Sequence, residues 1–318
     1  MAHHILIPLD GSSLAENVLP HAVALTRGSE AQASVVRVLE LGSAGTLSRP
    51  PDPFDWQLRK AEAEAYLQTI SSRLHEAGLP STVKLLEGKA AECVIRYAKE
   101  ENADLILLSS HGQSGMSGWN VSSIVQKIIF RAHTSFILIR AYQPVENGLT
   151  ELNYSRILIP LDGSQRAENV LPAATSLAKE HDALLIIAHV VRQPEIPRRT
   201  LPSQEDTELA DKLTERNRAE SDRYLSELTS RFDVKNETRL VVSQNPSTTL
   251  HELVENEQID LVIMNAHGYT GGSQWPFGSI ATNFITYGTT PLMVIQDIPR
   301  DLIEPTRAEI MSRERGGR

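Results

Sequence analysis

Two kinds of loop in this sequence carry residues that suit phosphate binding. Residues 10–12 and 162–164 read Asp-Gly-Ser, and each follows a short apolar run. Residues 109–112 read Ser-Ser-His-Gly and residues 265–268 read Asn-Ala-His-Gly, again after apolar runs. A glycine-containing turn between a strand and a helix favours anions, because backbone N–H groups point outward, the helix dipole attracts negative charge and glycine permits close approach. These segments predict a phosphate site at strand ends.

The residues in these loops also have purely structural interpretations. Asp10 and Asp162 suit a helix cap or a turn, which is compatible with ligand contact. His111 and His267 suit donors that hold a loop, as an alternative to a catalytic base or a metal ligand. Helix capping, core packing or the rim of a site explains the remaining candidates: Ser122, Ser279, Met264 and His189.

Missing motifs exclude several catalytic classes. The sequence has no Gly-x-x-x-x-Gly-Lys-[Ser/Thr], no Gly-x-Ser-x-Gly, no His-Glu-x-x-His and no Ser-Gly-Gly-x-Asp-Ser. P-loop nucleotide hydrolases, lipase-type hydrolases, zinc proteases and pyrophosphatase-type ligases are therefore disfavoured. The single cysteine, Cys93, lies in an apolar helical pattern, and one cysteine allows neither an internal disulfide nor a cysteine-based zinc cluster. We predict no catalytic residue and no metal ligand.

The charge balance argues against a nucleic-acid-coating protein. Lys and Arg number 31 and Asp and Glu number 40, which gives a net charge of −9. Binding to phosphate backbones requires clustered basic residues instead. No apolar stretch is long enough to span a bilayer, and the first residues do not resemble a secretion signal. We therefore predict a cytoplasmic protein with neither a nucleic-acid nor a membrane partner.

The chain contains the same unit twice. Residues 5–12 read Ile-Leu-Ile-Pro-Leu-Asp-Gly-Ser and recur unchanged at residues 157–164, and the apolar run ending in His-Gly at 104–112 returns at 260–268. A repeat of this length indicates a duplicated domain. The predicted organisation is a first domain over residues 1–141, a polar linker over 142–155, a second domain over 156–298 and a charged tail over 299–318.

Apolar runs alternate with helical patterns in each copy. In the first copy a strand at 5–9 precedes a helix at 13–26, and this alternation continues to a fifth strand at 136–139. The pattern predicts an α/β fold of two tandem doubly wound (Rossmann-like) domains, each a five-stranded parallel sheet with flanking helices. In such sheets ligands bind at the carboxyl ends of strands, where the strand order reverses.

The fifth strands carry a further prediction. Residues 136–139 and 292–295 end the two copies and are apolar throughout. A bare sheet edge does not sustain such a sequence. We predict that the two strands pair with each other in an intrachain pseudo-dimer, and the same reasoning leaves room for a homodimer of the whole chain.

The opening Pro-Leu-Asp-Gly-Ser, the strand ending in Ser-Ser-His-Gly and the apolar closing strand resemble a universal stress protein. The likeness covers nearly the whole chain as two tandem copies. Members that bind ATP carry Gly-x-x-Gly, nine residues and then Gly-[Ser/Thr]. The second copy departs from this pattern only at Asn265, whereas the first copy has serine at 109 and at 122. The second copy is therefore the better candidate for a triphosphate.

The resemblance implies a role for each matching position. It places Asp162 and Asp10 near the adenosine and lets the backbones of Val190 and Val38 contact adenine. Phosphate N–H donors are implied at the loop glycines, with further contacts from the helix starts. The implied cofactor-binding residues are Pro160, Asp162, Val190, Met264, Asn265, His267, Gly268, Gly278, Ser279 and Ile280 in the second copy, and Pro8, Asp10, Val38, Leu108, Ser109, His111, Gly112, Ser122 and Ser123 in the first.

The resemblance implies a stress-response regulatory protein rather than an enzyme. It would bind ATP, ADP or AMP, with or without Mg²⁺, mainly in the second domain, while the first domain binds a smaller nucleotide or none. Binding would bias contacts with a protein client. Two alternatives remain from the residues: a ligand-free scaffold that has lost binding, and a slow ATPase in which His267 or Asp162 acts with Mg²⁺.

Overall fold

The computed structural model describes residues 3–40, 52–113, 121–142, 148–194, 203–269 and 276–297. The predicted tail at 299–318 lies outside these residues. The strands are β1 His4–Pro8, β2 Gln32–Leu39, β3 Ser81–Glu87, β4 Leu105–Ser109, β5 Ser135–Ile139, β6 Arg156–Pro160, β7 Leu184–Arg192, β8 Asn236–Ser243, β9 Leu261–Asn265 and β10 Leu292–Ile295. The helices are α1 Ser13–Glu16, α2 Val18–Thr26, α3 Pro53–Glu76, α4 Ala90–Glu100, α5 Ser123–Ala132, α6 Gln165–Glu168, α7 Leu171–His181, α8 Gln204–Thr229, α9 Pro246–Asn256 and α10 Ser279–Tyr287.

The described strands form one ten-stranded sheet in the order β3-β2-β1-β4-β5-β10-β9-β6-β7-β8. Within each half the strands are parallel. Their middle residues are buried on both faces, which explains why the strands read as continuous apolar runs in the sequence. The predicted α/β fold of two tandem doubly wound units is confirmed.

The two halves meet along the fifth strands of the copies. β10 pairs antiparallel with β5, with Leu292 opposite Leu138 and Val294 opposite Phe136. This is the strand contact that the apolar edges predict. Each apolar edge is covered by the other, and the hydrogen-bonded ladder continues from one half into the next.

The first predicted helix differs from the structure in its continuity. It is broken at Asn17, so that α1 and α2 replace a single helix over residues 13–26. Pro20 has no N–H to bond with the carbonyl of Glu16 four residues earlier, which weakens the helix at this point. The second copy breaks at the same place, between α6 and α7, where Pro172 stands.

The hydrophobic core lies in two layers, one on each face of the sheet, and each layer contains residues of both copies. Tyr154 belongs to one of these layers and is 1% exposed, although it falls within the stretch predicted to be a polar linker. Cys93 is buried, as its apolar surroundings in the sequence predict.

Candidate functional site

The strand order reverses at β1 in the first copy and at β6 in the second. β1 lies between β2 and β4, and β6 lies between β7 and β9. The Asp-Gly-Ser loops follow β1 and β6, and the His-Gly loops follow β4 and β9. Because parallel strands end at the same edge, each copy brings its two predicted loops together at the position where ligands bind in such sheets.

The aspartates after β1 and β6 join these loops. Oδ1 of Asp162 accepts hydrogen bonds from the N–H and the hydroxyl of Ser164 (3.0 and 2.6 Å), and Oδ2 accepts one from the N–H of Tyr269 (2.5 Å). Asp10 makes the equivalent contacts in the first copy, including one from the N–H of Gln113 (2.6 Å). The carboxylates therefore hold the turns, as the turn interpretation predicts, whereas the N-caps of α1 and α6 are Ser12 and Ser164 and not the aspartates.

Close approach of these carboxylates explains the loop glycines. A Cβ atom at Gly268 would lie 2.1 Å from Oδ2 of Asp162, and one at Gly112 would lie 2.0 Å from Oδ2 of Asp10. Only glycine fits at either position without moving the aspartate. The glycine in each His-Gly pair is thus required by packing within the protein, whether or not a phosphate is bound.

The helices that follow the loops begin differently in the two copies. In the second copy the N-cap of α10 is Gly278, which has no side chain, and no side-chain cap bond is made there within the described residues. In the first copy the hydroxyl of Ser122 accepts a hydrogen bond from the N–H of Val125 and caps α5. A Cβ atom at Gly278 would lie 3.8 Å from the N atom of Gly268, so the open helix start adjoins the loop. We call this place, formed by Asp162, Gly268 and Gly278, the second-copy crevice, and the equivalent place formed by Asp10, Gly112 and Ser122 the first-copy crevice.

The residues at the first glycine position of the motif point inward. Asn265 is the last residue of β9, and its Nδ2 donates to the carbonyl of His267 (2.8 Å). Ser109 ends β4, and its hydroxyl donates to the carbonyl of Leu14 (2.8 Å). Both side chains are buried. Loss of glycine here therefore does not place a side chain at the mouth of either crevice.

Three interacting side chains, those of His267, Asp297 and Arg166, lie behind the His-Gly loop of the second copy. Nδ1 of His267 lies 2.8 Å from Oδ1 of Asp297, and Oδ2 of Asp297 accepts from Nε of Arg166 (2.6 Å). Burial by itself raises the pKa of Asp297, but the hydrogen bonds and charges of His267 and Arg166 outweigh it and hold that pKa below its ordinary value. These interactions anchor the second-copy loop to the end of β10.

The first copy lacks these interactions. By the alignment of the repeats, Leu14 stands where the second copy has Arg166, and Ala141 stands where it has Asp297. His111 is buried, and its Nε2 has no hydrogen-bond partner within the described residues. Neither Arg166 nor Asp297 was predicted to be a site residue. Their signal was a difference in charge between otherwise matching positions of the two copies.

The valines implied in adenine contact are placed with their backbones toward the crevices. β6 ends at Pro160, which pairs with Ala188 of β7, and Val190 follows two residues later. Residues two apart in a strand present their N–H and C=O groups to the same neighbouring strand. The backbone groups of Val190 therefore face the space beyond the end of β6. Val38 is placed in the same way beyond Pro8, the last residue of β1.

The side chains beside these valines differ between the copies. In the second copy Nδ1 of His189 lies 2.9 Å from the carbonyl oxygen of Leu161, and burial lowers the pKa of this histidine. In the first copy the guanidinium of Arg37 lies over the ring of Tyr66, 5.0 Å from its centroid, and against Gly11. The residue beside Val190 is therefore a neutral imidazole in the second copy, whereas the residue beside Val38 in the first copy is a cation.

The remaining predicted site residues divide into buried and exposed groups. Met264 and Leu108 lie in the core, 3% and 2% exposed, so their side chains do not line an open surface. Ile280 is half-buried and packs against the same core. Ser279 and Ser123 begin α10 and α5 with exposed side chains. The two serines remain available to a ligand at the helix starts.

The fold defines a tandem doubly wound α/β protein in which each copy brings its two paired loops together at the strand ends. The model of the universal stress protein family matches residues 1–140 and again residues 153–296. The chain belongs to this family and contains two tandem members of it.

Individual relatives match one copy at a time. Universal stress protein MJ0531 from Methanocaldococcus jannaschii is 24% identical over 140 residues, which covers 43% of this chain and 81% of that protein. Universal stress protein MJ0577 from the same organism is 27% identical over 157 residues and covers 45% and 95% of the two chains.

Solved structures match over the whole length. A universal stress protein from Archaeoglobus fulgidus superposes with a TM-score of 0.64 at 16% identity over 92% of this chain and 98% of its own. A putative universal stress protein from Pseudomonas aeruginosa superposes with a TM-score of 0.64 at 12% identity over 95% of both chains. At these identities the likeness concerns the fold.

Among the described residues, no helix has the length and apolar character needed to cross a membrane. In that same part of the chain, no group of three or more histidine, cysteine, aspartate or glutamate side chains is arranged to hold a metal ion.

Proposed function

We propose that the protein is a stress-response regulatory protein that binds an adenine nucleotide, ATP, ADP or AMP, in the second-copy crevice. The phosphates lie at the start of α10, the ribose lies near Asp162, and the adenine lies beside the backbone of Val190. This proposal is one for binding and not for catalysis, because both oxygens of Asp162 already accept backbone N–H groups and Nδ1 of His267 is held by Asp297.

The open N-terminus of α10 is the observation that carries the proposal. The first N–H groups of a helix have no partner within the helix, and the helix dipole adds positive potential there. At α10 no side chain among the residues that the structure describes takes up these groups, and the loop backbone at Gly268 lies beside them. The charge of the phosphates is thus balanced by oriented backbone groups.

The first-copy crevice is the weaker site for the same reason. The hydroxyl of Ser122 takes up one of the N–H groups at the start of α5, that of Val125, which a phosphate would otherwise use. Arg37 lies against Gly11, on the side where the nucleoside would bind. We propose that this copy binds a smaller nucleotide or none.

The same proposal includes the organisation of the chain. Two domains at 1–141 and 156–298 work as an intrachain pseudo-dimer, joined by β5 and β10. The protein is cytoplasmic, and nucleotide occupancy biases its contact with a protein client or with a second copy of the chain.

Mass spectrometry of ligands released from the purified, denatured protein tests this function, followed by calorimetric titration with ATP in the presence and absence of Mg²⁺. The expected result is an adenine nucleotide in the released fraction or a saturable heat with one site per chain. A protein that releases no nucleotide and gives no heat with millimolar ATP, ADP or AMP is a scaffold, and the proposal is then wrong.

A further inference from the structure

A cavity of about 420 Å³ lies between the two copies, and its described lining contains none of Asp162, Gly268 and Gly278, which form the second-copy crevice. Its walls are the amino ends of β1, β4 and β5 from the first copy, and α7 and β10 from the second. Most of its lining is apolar, including Ile5, Leu177 and Met293, and its polar side chains include Asp104 and Ser135. The volume falls within the range of about 300–1,000 Å³ that is usual for small-molecule pockets.

The place that corresponds to this cavity when the two copies are exchanged holds the ring of Tyr154. This side chain lies against α2 of the first copy, and its hydroxyl is 2.7 Å from Nδ1 of His21. Its ring also makes an edge contact with His181 of α7, at 5.2 Å between centroids. Burial above all, and then the charge of Asp260, raises the pKa of Tyr154. The phenol ring is therefore enclosed by both copies.

The repeat alignment relates this setting to the cavity. His21 corresponds to Ala173, and Asp260 corresponds to Asp104. Ala173 and Asp104 both line the cavity. The aspartates also make the same contacts, because each accepts hydrogen bonds from two successive N–H groups at the start of the first strand of its copy. The cavity thus occupies the place that is related by pseudo-symmetry to the seat of Tyr154.

The residues that fill the space around Tyr154 align with small residues at the cavity. An alanine replaces the histidine that contacts the phenol, and the position aligned with Tyr154 is Ala2, which lies outside the described residues. The framework around a buried aromatic ring is therefore kept, while the histidine beside that ring is reduced to a methyl group.

We propose that this cavity is a binding site for a small, uncharged aromatic molecule of the size of a phenol. The equivalent position in the other copy, which holds Tyr154, shows that the surrounding residues accommodate a phenol ring. The apolar walls favour removal of the ring from water. The oxygen of Ser135 accepts from the N–H of Gln296, and Oδ2 of Asp104 accepts from two N–H groups, but a hydroxyl oxygen and a carboxylate each have further acceptor sites for a ligand hydroxyl. The carboxylate of Asp104 disfavours an anion. Because the site joins α7 to the first-copy strands, its ligand stabilises the contact between the copies.

The probe for this site is p-cresol, which is the side chain of tyrosine. Binding to the full-length protein is measured by calorimetry and by the shift in melting temperature. We expect saturable binding of one molecule per chain at millimolar concentration, a raised melting temperature, and no competition by ATP. The absence of saturable binding, or competition by ATP, overturns the proposal without bearing on the nucleotide site.

Two variants locate the binding. Ala173→Phe fills the cavity and is expected to abolish p-cresol binding while nucleotide binding remains; Ala173→Leu serves if the larger side chain prevents folding. Tyr154→Ala opens the equivalent position in the other copy and is expected to bind a second molecule of p-cresol, which raises the melting temperature of this variant more than that of the wild type. Unchanged p-cresol affinity in the folded Ala173 variant overturns the proposal.

Discussion

At the scale of single residues, glycine occurs at the loop positions of the motif for different physical reasons. Gly268 and Gly112 are required because an aspartate carboxylate lies against their backbones. Gly278 has space around it, since the nearest atom to an added Cβ is 3.6 Å away, and its extended backbone suits any N-cap residue. Gly268 is therefore required by the fold, whereas Gly278 leaves the start of α10 open.

This difference predicts opposite outcomes for two similar substitutions. Gly268→Ala forces Asp162 to move and is expected to cost about 1–3 kcal/mol of unfolding free energy, as overpacking does. Gly278→Ser places a favourable N-cap and is expected to change stability by less than about 0.5 kcal/mol. Urea unfolding followed by circular dichroism measures both. Equal losses in the two variants would show that the close contact with Asp162 is not the reason for Gly268.

At the scale of elements, α10 is held by the first copy at both ends. Phe277, which precedes the helix, makes edge contacts with Phe130 and Phe136. At the other end the buried guanidinium of Arg140 donates to the carbonyls of Phe284 and Ile285, in the last turn. The helix whose start forms the second-copy crevice is thus positioned by residues of the other copy.

Removal of the Arg140 cap tests this positioning. Burial lowers the pKa of Arg140 to about 10, so the guanidinium stays charged at neutral pH. Arg140→Gln, which introduces the residue found at the aligned position Gln296, is expected to cost about 1.5–3 kcal/mol because hydrogen bonds from a charged donor are lost. Thermal unfolding monitors the effect, and the exposed variant Arg96→Gln is the control. A melting temperature equal to that of the control contradicts the role of Arg140.

At the scale of the whole molecule, one sheet and a shared core make the two copies a single structure. The core layer that contains Tyr154 includes residues of α2 and α7, and buried histidines accompany it. Burial lowers the pKa of His21 from 6.5 to about 4, and it also lowers the pKa of His181. The contact between the copies therefore depends on histidines that are neutral in the folded state.

Acid is expected to weaken this contact. The unfolded chain takes up a proton at His21 near pH 6.5, whereas the folded chain resists protonation down to about pH 4. Stability should fall as the pH decreases through this window and level off below it, by on the order of 3 kcal/mol from this residue. His21→Gln should flatten that part of the profile, whereas the exposed control His75→Gln should not. An unchanged slope in His21→Gln argues against a neutral buried His21.

The sequence predicted most of the fold, because buried parallel strands read as apolar runs and the internal repeat indicated two copies of one unit. It also placed Asp162 and Gly268 at strand ends that the structure brings together. It did not reveal that the carboxylate of Asp162 packs against Gly268, since that contact joins residues more than a hundred positions apart. Arg140 was missed because a lone arginine after a strand carries no periodic signal. Contacts between the copies depend on geometry that a local pattern does not encode.

Titration of two matched variants with ATP tests the central claim most directly. Gly278→Asp places a good N-cap and a negative charge at the start of α10, and Ser122→Asp does the same at α5, so both are expected to fold. The account predicts that Gly278→Asp abolishes the heat of ATP binding and that Ser122→Asp retains the wild-type affinity. The reverse pattern, or equal binding by both variants, would contradict a nucleotide site in the second-copy crevice.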